Sequence, residues 1–136
     1  MANDGAGSRN IGVYIDRAVG EVYAYASDPA NLPAWARGLG GSIEQVGGEW
    51  VAADSPMGRV VVAFAPHNEL GVLDHDVTLP SGETVHNPVR VIADGVGSVV
   101  VFTLRRQPGT SDADFARDAA MVTADLERLR DLVESA

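Results

Sequence analysis

The chain contains no cysteine, so disulfides, thiolate nucleophiles, cysteine zinc sites and iron–sulfur clusters are all excluded. Lysine is absent as well, and all 10 basic residues are arginine. Together with abundant Ala, Gly, Val and Asp, this reads as the coding bias of a GC-rich bacterial genome and not as a functional signature. Cations are scarce against 19 acidic residues, giving a net charge of −9, and they are not clustered. A phosphate backbone needs clustered cations, so nucleic acid is not expected as a partner. Long apolar runs are lacking too. The longest, Val60 to Ala65, is far too short to span a bilayer, and Met1 to Asn10 lacks the basic and apolar parts of a signal sequence. The expectation is a soluble cytoplasmic protein without membrane insertion.

What is present is enough for one core: 46% of 136 residues are hydrophobic, which suits a single domain. The clearest organising signal is near the end, where Phe115, Ala119, Val122, Leu126, Leu129 and Val133 recur at steps of four and three. That spacing places all six on one helical face, while Asp118, Asp125, Arg128 and Asp131 fall mainly on the others. Ser111 followed by Asp114 resembles a capping box, so the helix is expected to start near Asp112. At about 1.5 Å per residue it is roughly 34 Å long, and only a wide sheet covers an apolar face of that length.

The preceding residues supply such a sheet. Residues 1–8 are small and polar and are expected to form a disordered tail. Ile11, Val13 and Ile15 then alternate as a half-buried strand does. Asp16 is positioned to cap a short helix with an apolar face of Val19, Val22, Tyr23 and Ala26. Asp28-Pro29 starts a second helix that the glycines at 38, 40 and 41 end. Beyond Gly41 the period falls to two, and turn signals separate six strands near 42–47, 49–54, 59–65, 72–79, 84–92 and 97–106. Short turns make them antiparallel.

This order, with Val22-Tyr23, the stretch Asp28-Pro29-Ala30-Asn31-Leu32-Pro33 ending in Trp35, Phe102-Thr103-Leu104 and the final helix, resembles the START/Bet v1-like (SRPBCC) superfamily. Within it the chain looks most like the bacterial polyketide cyclase/dehydrase-like branch. The resemblance covers about Arg9 to Glu134. It implies an α+β helix-grip fold, β-α-α-β6-α, in which a seven-stranded antiparallel curved sheet wraps the C-terminal helix around a cavity for lipophilic or aromatic small molecules. No catalytic motif of the family maps onto this chain residue by residue.

For chemistry, Asp74-His75-Asp76 is the richest polar run, but side chains alternate along a strand, so both aspartates share one face and His75 takes the other. A metal site local to the run is thereby excluded, and no metal is expected. Pairing Leu79 with Thr84, and Val89 with Val100, puts Asp74, Asp76, Asn87, Phe102 and Leu104 on the inner face and His75, His86 and Arg90 on the outer one. His67, His75 and His86 are then surface residues. Asp74 and Asp76 become the candidate catalytic carboxylates, one of them with a pKa raised by burial. Trp35 at the cavity mouth, Trp50, Asp74, Asp76, Asn87, Phe102, Leu104 and Val122 are the candidate ligand-binding residues, against a plain structural role for both tryptophans. Gly95-Val96-Gly97 lacks the rest of a dinucleotide fingerprint and Ser55 lacks a Gly-x-Ser-x-Gly context, so no cofactor is expected. The function expected is binding of a lipophilic or aromatic molecule, either with a cyclisation or dehydration performed on it or as a non-catalytic carrier, by a monomer or homodimer.

Overall fold

A computed structural model describes residues 7–136. Positions 1–6 of the expected tail lie outside the described residues, and Ser8 already belongs to the first strand. In chain order the elements are β1 (Ser8–Ile15), α1 (Val19–Ala26), a helical turn Pro29–Asn31, α2 (Leu32–Trp35), a second turn Arg37–Leu39, β2 (Glu44–Val46), β3 (Glu49–Ser55), β4 (Gly58–Phe64), β5 (His75–Thr78), β6 (Thr84–Asn87), β7 (Val89–Asp94), β8 (Gly97–Arg105) and α3 (Asp112–Glu134).

The α+β, antiparallel, long-helix architecture is as expected, but the strand count is corrected. Among the described residues eight strands form two sheets, ordered β1-β8-β7 and β2-β3-β4-β5-β6, in place of seven in one. Pro88 is the cause. It has no N–H to give to a ladder, so the strand expected over 84–92 breaks there. Asn87 ends the pairing with β5, and Val89 begins the pairing with β8. The break is bridged: Thr103 N–H donates to Pro88 O at 2.9 Å, Leu73 N–H to Val89 O at 2.8 Å and Val91 N–H to Gly71 O at 2.8 Å. Residues 71–73 therefore run along the free edge of β7 and join one sheet to the other. The helical part is also more divided than two short helices, because turns flank α2 on both sides.

The long helix forms where its spacing requires. The Ser111 hydroxyl accepts the Asp114 N–H at 3.1 Å, and Asp112 and Asp114 lie in the first turn, where negative charge is favoured. Phe115, Ala119, Leu126, Leu129 and Val133 are buried, with Val122 packed against the core. This face lies against β1, β8 and α2. In α1, Val22, Tyr23 and Ala26 are buried. Asp16 does not cap that helix: the cap is Ala18, without a side-chain bond. The Asp16 backbone N–H donates instead to Glu134 Oε2 at 2.8 Å, tying the end of β1 to the end of α3. Asp28 accepts the Ala30 N–H at 3.0 Å and starts the turn at Pro29.

Candidate functional site

The β5–β6 hairpin decides what faces the helix. Thr78 pairs with Thr84, Val77 with Val85, Asp76 with His86 and His75 with Asn87. This register is one residue away from the Leu79–Thr84 pairing expected, because the loop is longer: residues 79–83 stay outside the ladder, with Leu79 N–H donating to Glu83 O at 2.8 Å. A one-residue slip exchanges the faces of a strand. The expectation that Asp74 and Asp76 face inward and His75 outward is thus reversed.

The inward side chains enclose a cavity of about 330 Å³ between the sheet and α3. Val77 and His75 from β5, Val85 and Asn87 from β6 and Phe102 from β8 form one wall. Val122 and Asp125 of α3 face them, Leu39 and its neighbours after α2 close a side, and the hairpin tips add Met57 and Leu79. The wall is apolar with a few polar groups set into it, and the volume falls at the low end of small-molecule sites, about 300–1,000 Å³.

His75 is buried. Its ring is held between Phe64, 5.1 Å away between centroids, and Phe102, 6.2 Å away. Nδ1 lies 3.1 Å from the Leu73 carbonyl oxygen and Nε2 lies 3.4 Å from Asn87 Nδ2. A carbonyl only accepts, so Nδ1 carries the proton and Nε2 is left with its lone pair. Burial lowers the His75 pKa from its ordinary value, outweighing the bond to Leu73. On the opposite wall Asp125 accepts the Arg37 backbone N–H at 3.4 Å and pairs with Arg128. Desolvation nonetheless raises its carboxyl pKa, more than Arg128 lowers it.

The residues expected at the site divide accordingly. The structure brings Asn87, Phe102 and Val122 into the cavity. Asp74 lies outside it: both its carboxylate oxygens bond Arg90, at 2.9 and 2.8 Å, and one also accepts the Val89 N–H at 2.9 Å. Its pKa is lowered, chiefly by the Arg90 bond, which corrects the expectation of a raised carboxylate at this position. Asp76 accepts from His86 across 2.6 Å on the same outer face. Trp35 is buried in the core beside the cavity residue Ala36. Trp50 lines a separate groove of about 310 Å³ with Pro29, Val61 and Phe64. Leu104 shares the Phe102 face but lies two residues further along β8, opposite Arg9. The surface assignment is corrected for His75; His67 and His86 are exposed.

Sequence reasoning missed His75, Asp125, Gln107 and Met57 as cavity residues. Asp125 had a usable signal: it stands beside Leu126 and three residues after Val122, at the border of the buried stripe. Among the described residues no group of three or more potential metal ligands converges, and no helix is long and apolar enough to cross a membrane.

No protein-family model and no curated protein matches the chain. Solved structures do. The Aha1 dimer from Colwellia psychrerythraea is similar with a TM-score of 0.72 at 15% identity, over 93% of this chain and 96% of that one. Ara h 8.0201 is similar with a TM-score of 0.64 at 16% identity, over 95% and 98%. DynU16, a protein in the dynemicin biosynthetic locus, is similar with a TM-score of 0.67 at 15% identity, over 93% of this chain and 47% of its own. The fold is therefore the Bet v1-like helix-grip fold, and at these identities the likeness extends to the fold alone.

Proposed function

We propose that residues 9–136 act as one small-molecule-binding domain whose ligand, a lipophilic or aromatic molecule, occupies the cavity between β5, β6, β8 and α3. The observation that carries this reading is the make-up of that cavity: Val77, Leu79, Val85, Phe102 and Val122 present apolar surface, with His75, Asn87 and Asp125 among them. An apolar body gains affinity by burial and a few polar contacts orient it. The test is binding of the environment-sensitive dye prodan to the protein and to a Val122→Trp variant, which fills the cavity. Prodan fluorescence should rise with the first and not with the second. Equal enhancement by both, or none by either, would remove the cavity from consideration.

One observation favours catalysis of the cyclase or dehydratase type over simple carriage. A neutral imidazole and a carboxyl with a raised pKa line the same cavity, and such a pair suits proton transfer near neutral pH. His75 Nε2 would remove a proton from carbon next to a ketone, the C–H electron pair passing into the enolate. DynU16 belongs by its description to a biosynthetic locus, which supports a substrate-handling role. Wash-in of deuterium from solvent at the α-carbon of bound tetralone, lost in His75→Phe, is the expected result. Binding without exchange would assign the chain to the carriers.

A further inference from the structure

The cavity carries one polar arrangement more specific than its general character, where β5 meets β6. His75 and Asn87 are directly paired across the two strands, and both line the cavity. The hydrogen-bond roles of both are fixed from one end. Leu73 O takes the proton on Nδ1, so Nε2 is an acceptor, and Asn87 must turn its amide nitrogen towards it as donor. The aromatic rings of Phe64 and Phe102 beside His75 offer no strong acceptor or donor and keep the imidazole in place.

The separation is the informative quantity. At 3.4 Å the amide and imidazole nitrogens make a long, weak hydrogen bond, so each is only weakly satisfied. A buried acceptor and a half-buried donor left in that state retain capacity for a better partner. The partner that satisfies both has a donor and an acceptor on one atom. A hydroxyl does; an ether can only accept, and an ammonium can only donate. A carboxylate sets its lone pairs against that of Nε2 and brings a charge into a cavity that already holds Asp125.

We propose that the His75–Asn87 pair reads a neutral hydroxyl: the ligand O–H donates to His75 Nε2 while its oxygen accepts from Asn87 Nδ2, so that phenols and alcohols are selected over their ethers and over carboxylates. This rests on the cavity being the binding site, and it adds the chemical class of the group that binds there.

Titration of the protein with naphthol, methoxynaphthalene and naphthoate tests the two levels separately. Naphthol should bind about tenfold more tightly than methoxynaphthalene, the equivalent of one well-made hydrogen bond, although it has the smaller apolar surface. Naphthoate should be the weakest. In His75→Phe and in Asn87→Leu the ratio of naphthol to methoxynaphthalene affinity should fall to about one. The wild-type protein supplies a readout free of any folding defect in the variants: naphthol, and not methoxynaphthalene, should move the His75 Nε2 nitrogen resonance upfield, as an accepted hydrogen bond does. Equal binding of naphthol and methoxynaphthalene by wild type overturns the hydroxyl reading and leaves the cavity reading standing. Binding of none of the three overturns both.

Discussion

Asp74 holds Arg90 through both carboxylate oxygens, at 2.9 and 2.8 Å, on the outer face where the two sheets join. The Asp74 side chain is only 16% exposed whereas Arg90 is 51% exposed. The pair is therefore worth more than an open surface contact and less than a buried one. It spans from the residue before β5 to β7, and the Val89 N–H shares the same carboxylate. Asp74→Ala should cost about 1–2 kcal/mol, because it also strands that N–H, and lower the melting temperature by roughly 4 °C per kcal/mol. The folded pKa is depressed. The contribution is thus complete above the unfolded value of about 3.9 and is lost as pH falls through the folded value. Melting curves of wild type and variant should differ most at neutral pH and draw together in strong acid, where the protonated carboxyl still accepts the Val89 N–H. A gap as wide in acid as at neutral pH would mean that packing, not charge, is what Asp74 supplies.

His75 adds a second acid sensitivity from the other face of the same strand. It is surrounded by the Leu73 carbonyl, Phe64, Phe102 and Asn87, with Asp125 across the cavity and Asp74, Asp76 and His86 on the outer side. Burial depresses its folded pKa. Stability from the neutral ring is complete above the unfolded value of about 6.5 and is lost as pH falls through the folded value. Between pH 7 and pH 5 the wild type should lose stability that His75→Phe keeps. Parallel pH profiles for the two proteins would show that His75 titrates as it does in water.

The two faces of this strand also show what the sequence could and could not reveal. The α3 span and its buried stripe were legible because one period persists over six apolar positions and Ser111 caps the start. The tight Val46–Glu49 hairpin was legible from its two glycines, whereas the next turn is shorter than the five residues 54–58 suggested, since Ser55 already pairs with Gly58. The faces of Asp74 and His75 were not, since they depend on how many residues the Pro80-Ser81-Gly82 loop withholds from the ladder, and Leu79 to Glu83 bond to each other in place of pairing as strand. Pro88 was visible in the sequence, but its effect was not, because a strand that merely bends and one that changes sheets read alike. Asp125 was visible only as a border position of the stripe, and such a position is wet or buried depending on what packs there, here the segment ending at Leu39.

The seam between the sheets depends on a backbone approach that only glycine allows. Gly71 has φ +75°, and a Cβ placed on it would sit 2.3 Å from the Val91 carbonyl oxygen, the strand whose N–H bonds Gly71 in return. Gly48, in the β2–β3 turn, has φ +85° with nothing near its missing Cβ. Gly48→Ala should cost only the left-handed strain, about 1–2 kcal/mol, whereas Gly71→Ala must also move β7 and should cost clearly more. Denaturant midpoints compare them. Equal losses would show that the seam yields without penalty.

Asp125 lies against Arg128 yet has a raised pKa, because desolvation by the cavity wall outweighs the ion pair. The sign is opposite to that for Asp74. An acid whose folded pKa is raised contributes stability that is present below the unfolded value of about 3.9 and is lost as pH rises through the folded value. Its ionised form is therefore the strained one at neutral pH. Asp125→Asn keeps an oxygen for the Arg37 N–H and removes the charge, and Arg128 is exposed enough, at 33%, for water to replace its partner. The variant should melt no lower than wild type at pH 7, and the two should coincide in acid. Carboxyl-carbon NMR of the wild type provides the direct measurement, with the Asp125 resonance titrating above the ordinary aspartate range. A lower melting temperature together with a normal titration would mean that the Arg128 pair prevails over burial, and Asp125 would then hold no proton to give to a ligand in the cavity.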